Sequence, residues 1–295
     1  MKPTSRRNCD YDSLIGCIIL SLCSKGGSIK SYIYAWVVPA YSSGSPVDHT
    51  WVTTYDSRKH AYPDIAAVKK ANEANWYCWG SFHPTGSVPG NPSGYIGSRS
   101  GDRGIADCLV MPNADSNSNF AARGTIFTYG VDGVCHQLAN QVLYATKAAG
   151  SAPLTVKKAR GYAISTFLYG TYGLQHAAWK GKLYSCAGVK PMARLPAAME
   201  EKMEQPPDDF ADHAREVLSD KPELLDQLMA LRAEINTFAA QKIPGFFPPD
   251  AALLNARNQH LLDQAAALLG PDDFRQIFGI EPGERIDIVD PTIME

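Results

Sequence analysis

Cys135 is the residue of this chain best placed for covalent chemistry, inside the string Gly124 to Thr146, GTIFTYGVDGVCHQLANQVLYAT. A thiolate is the attacking form of cysteine. In the first turn of a helix it faces unpaired N–H groups and the positive end of the helix dipole, which favour thiolate over thiol. The string supplies such a turn. Ile126, Phe127, Thr128 and Tyr129 read as a strand, and Gly130, Asp132 and Gly133 read as a tight turn. From Cys135 onward Leu138, Val142 and Ala145 recur at helical spacing. A lone cysteine in apolar surroundings is more often a small buried hydrophobe, so a partner base has to support the chemical reading.

A base must take the thiol proton and return it to the leaving group. Seven histidines are available. His136 adjoins Cys135 but points about 100° away around a helix. His213 and His260 fall in amphipathic helices, His60 in a charged turn, and His176 in a stretch with no assigned structure. His49 opens the strand-like run His49 to Tyr55 beside Trp51, after the Ser/Gly/Pro loop Tyr41 to Pro46. The next strand-like run, Trp76 to Phe82, ends at His83-Pro84. If it returns antiparallel to the His49 strand, His83 or Ser81 falls near His49. The expected site is therefore Cys135 as nucleophile with His49 as base.

The elements that must position these residues follow from pattern. Leu14 to Cys23 reads as a first helix, Ile29 to Ala40 as an aromatic strand, and Ile65 to Asn75 as a short helix capped by Asp64. Residues 84–123 are rich in Gly, Pro, Ser and Asn and read as a long loop, and Thr155 to Tyr169 reads as one or two strands. From Leu195 the composition turns to Ala, Leu, Glu, Asp and Gln. Leu224, Leu225, Leu228, Leu231, Ile235 and Phe238 mark one helix, and Leu253, Leu254, Leu261, Leu262, Ala265 and Leu268 another. Asp220-Lys-Pro-Glu223 and Asp250 are helix starts, Gly270-Pro271 is a stop before a short helix Asp272 to Phe278, and Ile286 to Val289 is a candidate short strand. The fold class is α+β, with an α+β unit at 1–194 and an acidic helical appendage and tail at 195–295.

Charge agrees with that division. Residues 1–194 hold 20 Lys+Arg against 10 Asp+Glu, or +10; residues 195–295 hold 8 against 20, or −12, which together give the net −2. Docking of the acidic helices on the basic core is an expected internal partnership. The cations are scattered singly or in pairs, so no nucleic-acid partner is expected. No apolar run approaches the roughly 20 residues of a membrane span. Arg6-Arg7 before an apolar run, and Leu14-Ile15-Gly16-Cys17, imitate export signals. They lack a small-residue cleavage site and a preceding apolar segment respectively, so a cytoplasmic location is slightly favoured. Seven cysteines without a C-x-x-C spacing suggest neither a disulfide framework nor a zinc ribbon.

The order Asp48-His49-Thr50-Trp51 followed by Gly133-Val134-Cys135-His136 resembles the papain-like cysteine peptidase superfamily, in the circularly permuted variants of its NlpC/P60 branch. That resemblance implies an antiparallel sheet packed on a helix that bears the nucleophile. It implies Cys135 as nucleophile, His49 as base, and a third polar residue on the following strand, His83 or else Asp56. The Cys135 main-chain N–H would help form an oxyanion hole. It further implies a thiol hydrolase without cofactor or metal, cleaving a peptide, isopeptide or peptidoglycan-stem amide through an acyl-thioester. The same machinery serves acyl transfer or transamidation when an amine or alcohol replaces water. Two other classes compete: a zinc protein drawing on Cys78, His83, Cys108, Cys135 or His49, and a non-catalytic binding or assembly protein.

Overall fold

The computed structural model describes residues 30–39, 47–53, 78–79, 94–102, 129–145, 154–174, 207–240 and 250–291. Within these, a four-stranded antiparallel sheet has the order β3-β2-β1-β4, from β1 (Lys30–Pro39), β2 (Asp48–Thr53), β3 (Cys78–Trp79) and β4 (Gly94–Asp102). The helices are α1 (Cys135–Ala145), α2 (Tyr162–Tyr169), α3 (Asp209–Val217), α4 (Pro222–Ala240), α5 (Ala251–Leu269) and α6 (Pro271–Phe278). The class is α+β. No described helix is long and apolar enough to cross a membrane.

The period-two alternation of β1 and β2 sorts their side chains onto two faces. Trp36 stands opposite Trp51, and Val38 opposite His49. Trp36 and Trp51 are buried together, with Tyr34 and Val38 packed against them. His49 stacks on Trp51 with ring centroids 5.9 Å apart. The alternate residue Thr50 turns toward α1, where it meets Cys135.

β4 corrects the expectation of a loop over 84–123. Its sequence, GYIGSRSGD, has no apolar alternation, yet its main chain pairs with β1 from Lys30↔Asp102 to Val37↔Gly94, with a register shift between Ala35 and Trp36. Ladder bonds need only main chain, so composition gave no signal. Thr155 to Tyr169 is not strand either. A turn at Lys157–Gly161 leads into α2, with Gly161 at φ 75°. Ile164, Phe167 and Leu168 fall on one side at helical spacing, but the helix is buried nearly all round. A short continuous apolar run does not separate buried helix from buried strand by periodicity. The expected helices at 14–23 and 65–75, and the strand at 126–128, lie outside the described residues.

The apolar core belongs to the helices, and it runs across the sequence boundary at 194/195. Phe167 of α2 lies 5.2 Å, ring to ring, from Phe210 of α3 and 5.2 Å from Phe278 of α6, while Phe274 and Phe278 are 4.7 Å apart. Arg232 of α4, with a side chain only 5% exposed, sits over the Phe210 ring and donates to the Thr166 carbonyl at 2.9 Å and to Asp208 at 2.6 Å. It is thereby a second, charged donor to a carbonyl in the last turn of α2 that already accepts from Gly170 N–H at 2.9 Å. Among the described residues, the helices after residue 206 meet α2 through this apolar cluster, the buried Arg232 guanidinium, the Tyr162 hydroxyl on Asp209 and Arg257 on Tyr169. α5 starts as its cap residue requires, Asp250 accepting from Leu253 N–H at 2.7 Å. The segment Ile286–Val289 is not a strand: Val289 is bonded at both main-chain groups by the side chain of Asn255.

Candidate functional site

α1 begins at Cys135 because the residues around it cap it. Gln137 Oε1 reaches back to accept from Val134 N–H at 3.0 Å, the N3 half of a capping box, and Gln137 and Leu138 N–H both reach the Val134 carbonyl. The preceding turn closes through Gly130 N–H to Gly133 C=O at 2.7 Å, and Gly130 has φ 77°. The turn and helix parts of this reading hold over the described residues 129–145, with Tyr129 in an isolated bridge to Gly133 and the cysteine at the helix start.

The thiol is buried, 5% exposed. Its Sγ lies 4.0 Å from the Asp48 carbonyl oxygen, and the Thr50 N–H and hydroxyl also face it. It therefore sits against the main chain on either side of His49. The N–H groups of Cys135, His136 and Thr50 all favour its thiolate form, as expected of a helix N-terminus. Burial outweighs them and pushes the thiol up to about 11. The expected easy ionisation is overturned in this closed arrangement. The donors are present, but water, which solvates a thiolate better than a few N–H groups do, is not. At pH 7 about one thiol in 10^4 is ionised.

His49 and Cys135 share one short segment without a hydrogen bond between them: the thiol bonds to the Asp48 carbonyl, and the His49 ring is buried on the aromatic face against Trp51. His83 and Asp56, the candidates for the third position, lie outside the described residues, as do Cys108, His60 and His176. His213 is half-buried and bonded to the Ile277 carbonyl at 3.2 Å, and His260 is exposed on α5. Among the described residues no group of three or more His, Cys, Asp and Glu side chains is placed to hold a metal ion.

His136 is the residue that sequence reasoning set aside too quickly. It is fully buried, with Nε2 2.8 Å from the Asp48 carbonyl and Nδ1 2.8 Å from Ser165 Oγ. A carbonyl only accepts, so Nε2 carries the proton, and Nδ1 of the neutral ring faces the Ser165 hydroxyl, whose single proton is shared between that nitrogen and the Tyr162 carbonyl at 2.9 Å while its oxygen accepts from Gln137 Nε2. Burial holds the ring down to about 4, well below an ordinary histidine, so it stays neutral at pH 7. His136 is thus a clamp on the same carbonyl that meets the thiol, not a base. Ser165 belongs to a stretch read as strand, so nothing in the string CHQ alone pointed to this contact.

The clamp is one member of a polar seam. Asn140 donates to the Thr171 carbonyl and the Tyr162 hydroxyl and accepts from Val156 N–H, and Gln141 donates to the Tyr172 carbonyl. Asp48 secures the other side. Its carboxylate accepts from Arg160 N–H at 2.9 Å and Nε at 3.0 Å, and its own N–H donates to the Arg160 carbonyl. The segment that carries His49 is therefore bonded to both α1 and the turn before α2. Comparison with protein-family models, with curated proteins and with solved structures returned no match.

Proposed function

We propose that the chain is a papain-like cysteine hydrolase that cleaves an amide bond through an acyl-thioester, with Cys135 as nucleophile and His49 as base. The observation that carries this reading is the seat of the thiol: first residue of α1, with its own N–H and that of His136 directed at it, against the main chain on both sides of His49. The His49 ring lies on the Trp51 face of its strand while Thr50 faces the thiol, so in the reaction it would have to swing to the sulfur and accept the thiol proton as sulfur bonds to the substrate carbonyl carbon. The Cys135 N–H would bond the oxyanion. Collapse would expel the amine, protonated by His49, and water, deprotonated by the same ring, would release the acid and restore the thiol. His83, with Asp56 as alternative, would orient the ring. A peptide, isopeptide or peptidoglycan stem supplies the amide, and an amine acceptor in place of water would make the reaction a transamidation. No cofactor enters this scheme.

The imidazolium that forms beside the sulfur would offset the desolvation that keeps the resting thiol protonated. Burial of that thiol favours a second reading, a non-catalytic binding or assembly protein in which Cys135 is a core side chain. Incubation with p-nitrophenyl acetate and peptide mass mapping separates the two. The hydrolase reading expects an acetyl thioester on Cys135 in the wild type, its loss in His49→Ala, and faster turnover of wild type than of Cys135→Ser. A wild-type protein with Cys135 unacetylated, and release of p-nitrophenol no faster than in Cys135→Ser, would leave the binding reading.

A further inference from the structure

The turn that precedes Cys135 is held from its far side by the C-terminal part of the chain. Two asparagines of α5, Asn255 and Asn258, both buried and three residues apart on one helix face, reach it by separate routes. Asn255 brackets Val289, Nδ2 donating to its carbonyl at 2.8 Å and Oδ1 accepting its N–H at 2.9 Å. The next residue, Asp290, donates its N–H to the Tyr129 hydroxyl at 3.1 Å. Asn258 Nδ2 donates to the Tyr169 hydroxyl at 3.0 Å, which donates in turn to the Gly130 carbonyl at 3.0 Å. Packing closes the space: a Cβ built on Gly130 would stand 2.9 Å from both Leu254 Cδ1 and Val289 Cγ1.

We infer that Asn255, through Val289 and Asp290, is a positioning residue that latches the Tyr129–Gly133 turn and so keeps the Cys135 thiol seated in its closed pocket. The purpose of such a latch rests on the hydrolase reading. Its geometry, and its test, concern only the thiol. The turn runs directly into α1, so parting of Gly130 from Val289 and loss of the Asp290 bond to the Tyr129 hydroxyl would free the start of α1 to carry Cys135 away from Asp48 and Thr50. The bracket of Asn255 on Val289 is a neutral amide on a peptide group, which salt does not screen, while Arg257 Nη2 adds a charged donor to the Tyr169 hydroxyl at 3.4 Å.

The test compares iodoacetamide labelling of Cys135 in the full-length native protein, by peptide mass mapping at fixed pH, across three chains. Asn255→Ala removes the bracket. Leu262→Ala, in the same helix and core but with a side chain that makes no hydrogen bond, serves as the control for lost stability, with temperature adjusted so that both variants lie equally far below their thermal midpoints. The latch expects Cys135 to label at least about ten-fold faster in Asn255→Ala than in the control, with the pH midpoint of labelling moved down from about 11. Equal labelling in the two variants at matched stability, or no acceleration over wild type, overturns it. Should Asn255→Ala fail to fold, Tyr129→Phe removes the hydroxyl that accepts from Asp290, and a two- to five-fold acceleration is expected; none overturns the latch. Acceleration that survives His49→Ala, combined with absent acetylation of Cys135, keeps the latch and removes the hydrolase. Acetylation without acceleration does the reverse.

Discussion

The protonation of His136 has a stability consequence that can be worked through from its surroundings. Both ring nitrogens are bonded and the ring has no exposed surface, so charging it in the folded chain is opposed by desolvation. Its folded value of about 4 lies below the unfolded 6.5, so the unfolded chain binds the proton first. The stabilisation is therefore complete above the unfolded value and is lost as pH falls from about 6.5 toward 4. At ~1.36 kcal/mol per pKa unit the loss is about 2 kcal/mol at pH 5 and about 3 kcal/mol at pH 4. Other groups also titrate there, so the useful quantity is a difference. Urea unfolding of wild type and His136→Asn at pH 7 and pH 5 isolates the ring, because the carboxylates are common to both. The stability gap between them should narrow by about 2 kcal/mol on acidification. A gap that stays constant within about 0.5 kcal/mol would show that His136 is not held neutral by burial, and the description of it as a carbonyl clamp would fail with it. Ser165→Ala gives a check on geometry: with the hydroxyl gone, His136 Nδ1 and Gln137 Nε2 both lose that partner, and about 1–3 kcal/mol of stability should go at pH 7.

Other side chains give firm expectations. Arg232→Met should cost about 2–4 kcal/mol in chemical denaturation, since it removes a charged donor from the Thr166 carbonyl and from Asp208; the carbonyl keeps Gly170 N–H, the carboxylate keeps Ala211 N–H, and the 43% exposure of the Asp208 side chain lets it rehydrate, which keeps the loss below the upper end for buried pairs. Phe167→Ala should cost about 3–5 kcal/mol, and because its ring joins α2 to α3 and α6, melting followed by near-UV circular dichroism should show one cooperative transition for both parts of the chain. Gly130→Ala adds a Cβ where φ is 77° and the neighbours stand at 2.9 Å, so about 1–3 kcal/mol of destabilisation is expected by thermal melting.

Much of the local structure was legible in the sequence because it depends on neighbours in sequence. The turn Gly130–Gly133 and the helix starting at Cys135 follow from glycine's access to positive φ and from helical spacing of apolar residues. The starts at Pro222 and Asp250 follow from proline at a first helical position and a carboxylate cap. His49 falls on a strand next to Trp51 as its β-prone surroundings required. What depends on distant residues was not legible. β4 is held by main-chain pairing that leaves no trace in GYIGSRSGD, and α2 is buried so completely that its apolar run lost its period. The sequence put N–H donors around the Cys135 thiol, but the direction of its ionisation was decided by desolvation, which only the packed structure sets. Charge suggested two halves that attract; among the described residues they meet through the ring of Phe167, the Arg232 guanidinium on the Thr166 carbonyl and the Tyr162 hydroxyl on Asp209, while most of the basic residues of 1–194 lie outside the described residues. Spacing along the chain reports which residues share a turn or a face, whereas burial, and with it the proton on a thiol or an imidazole, belongs to the whole fold.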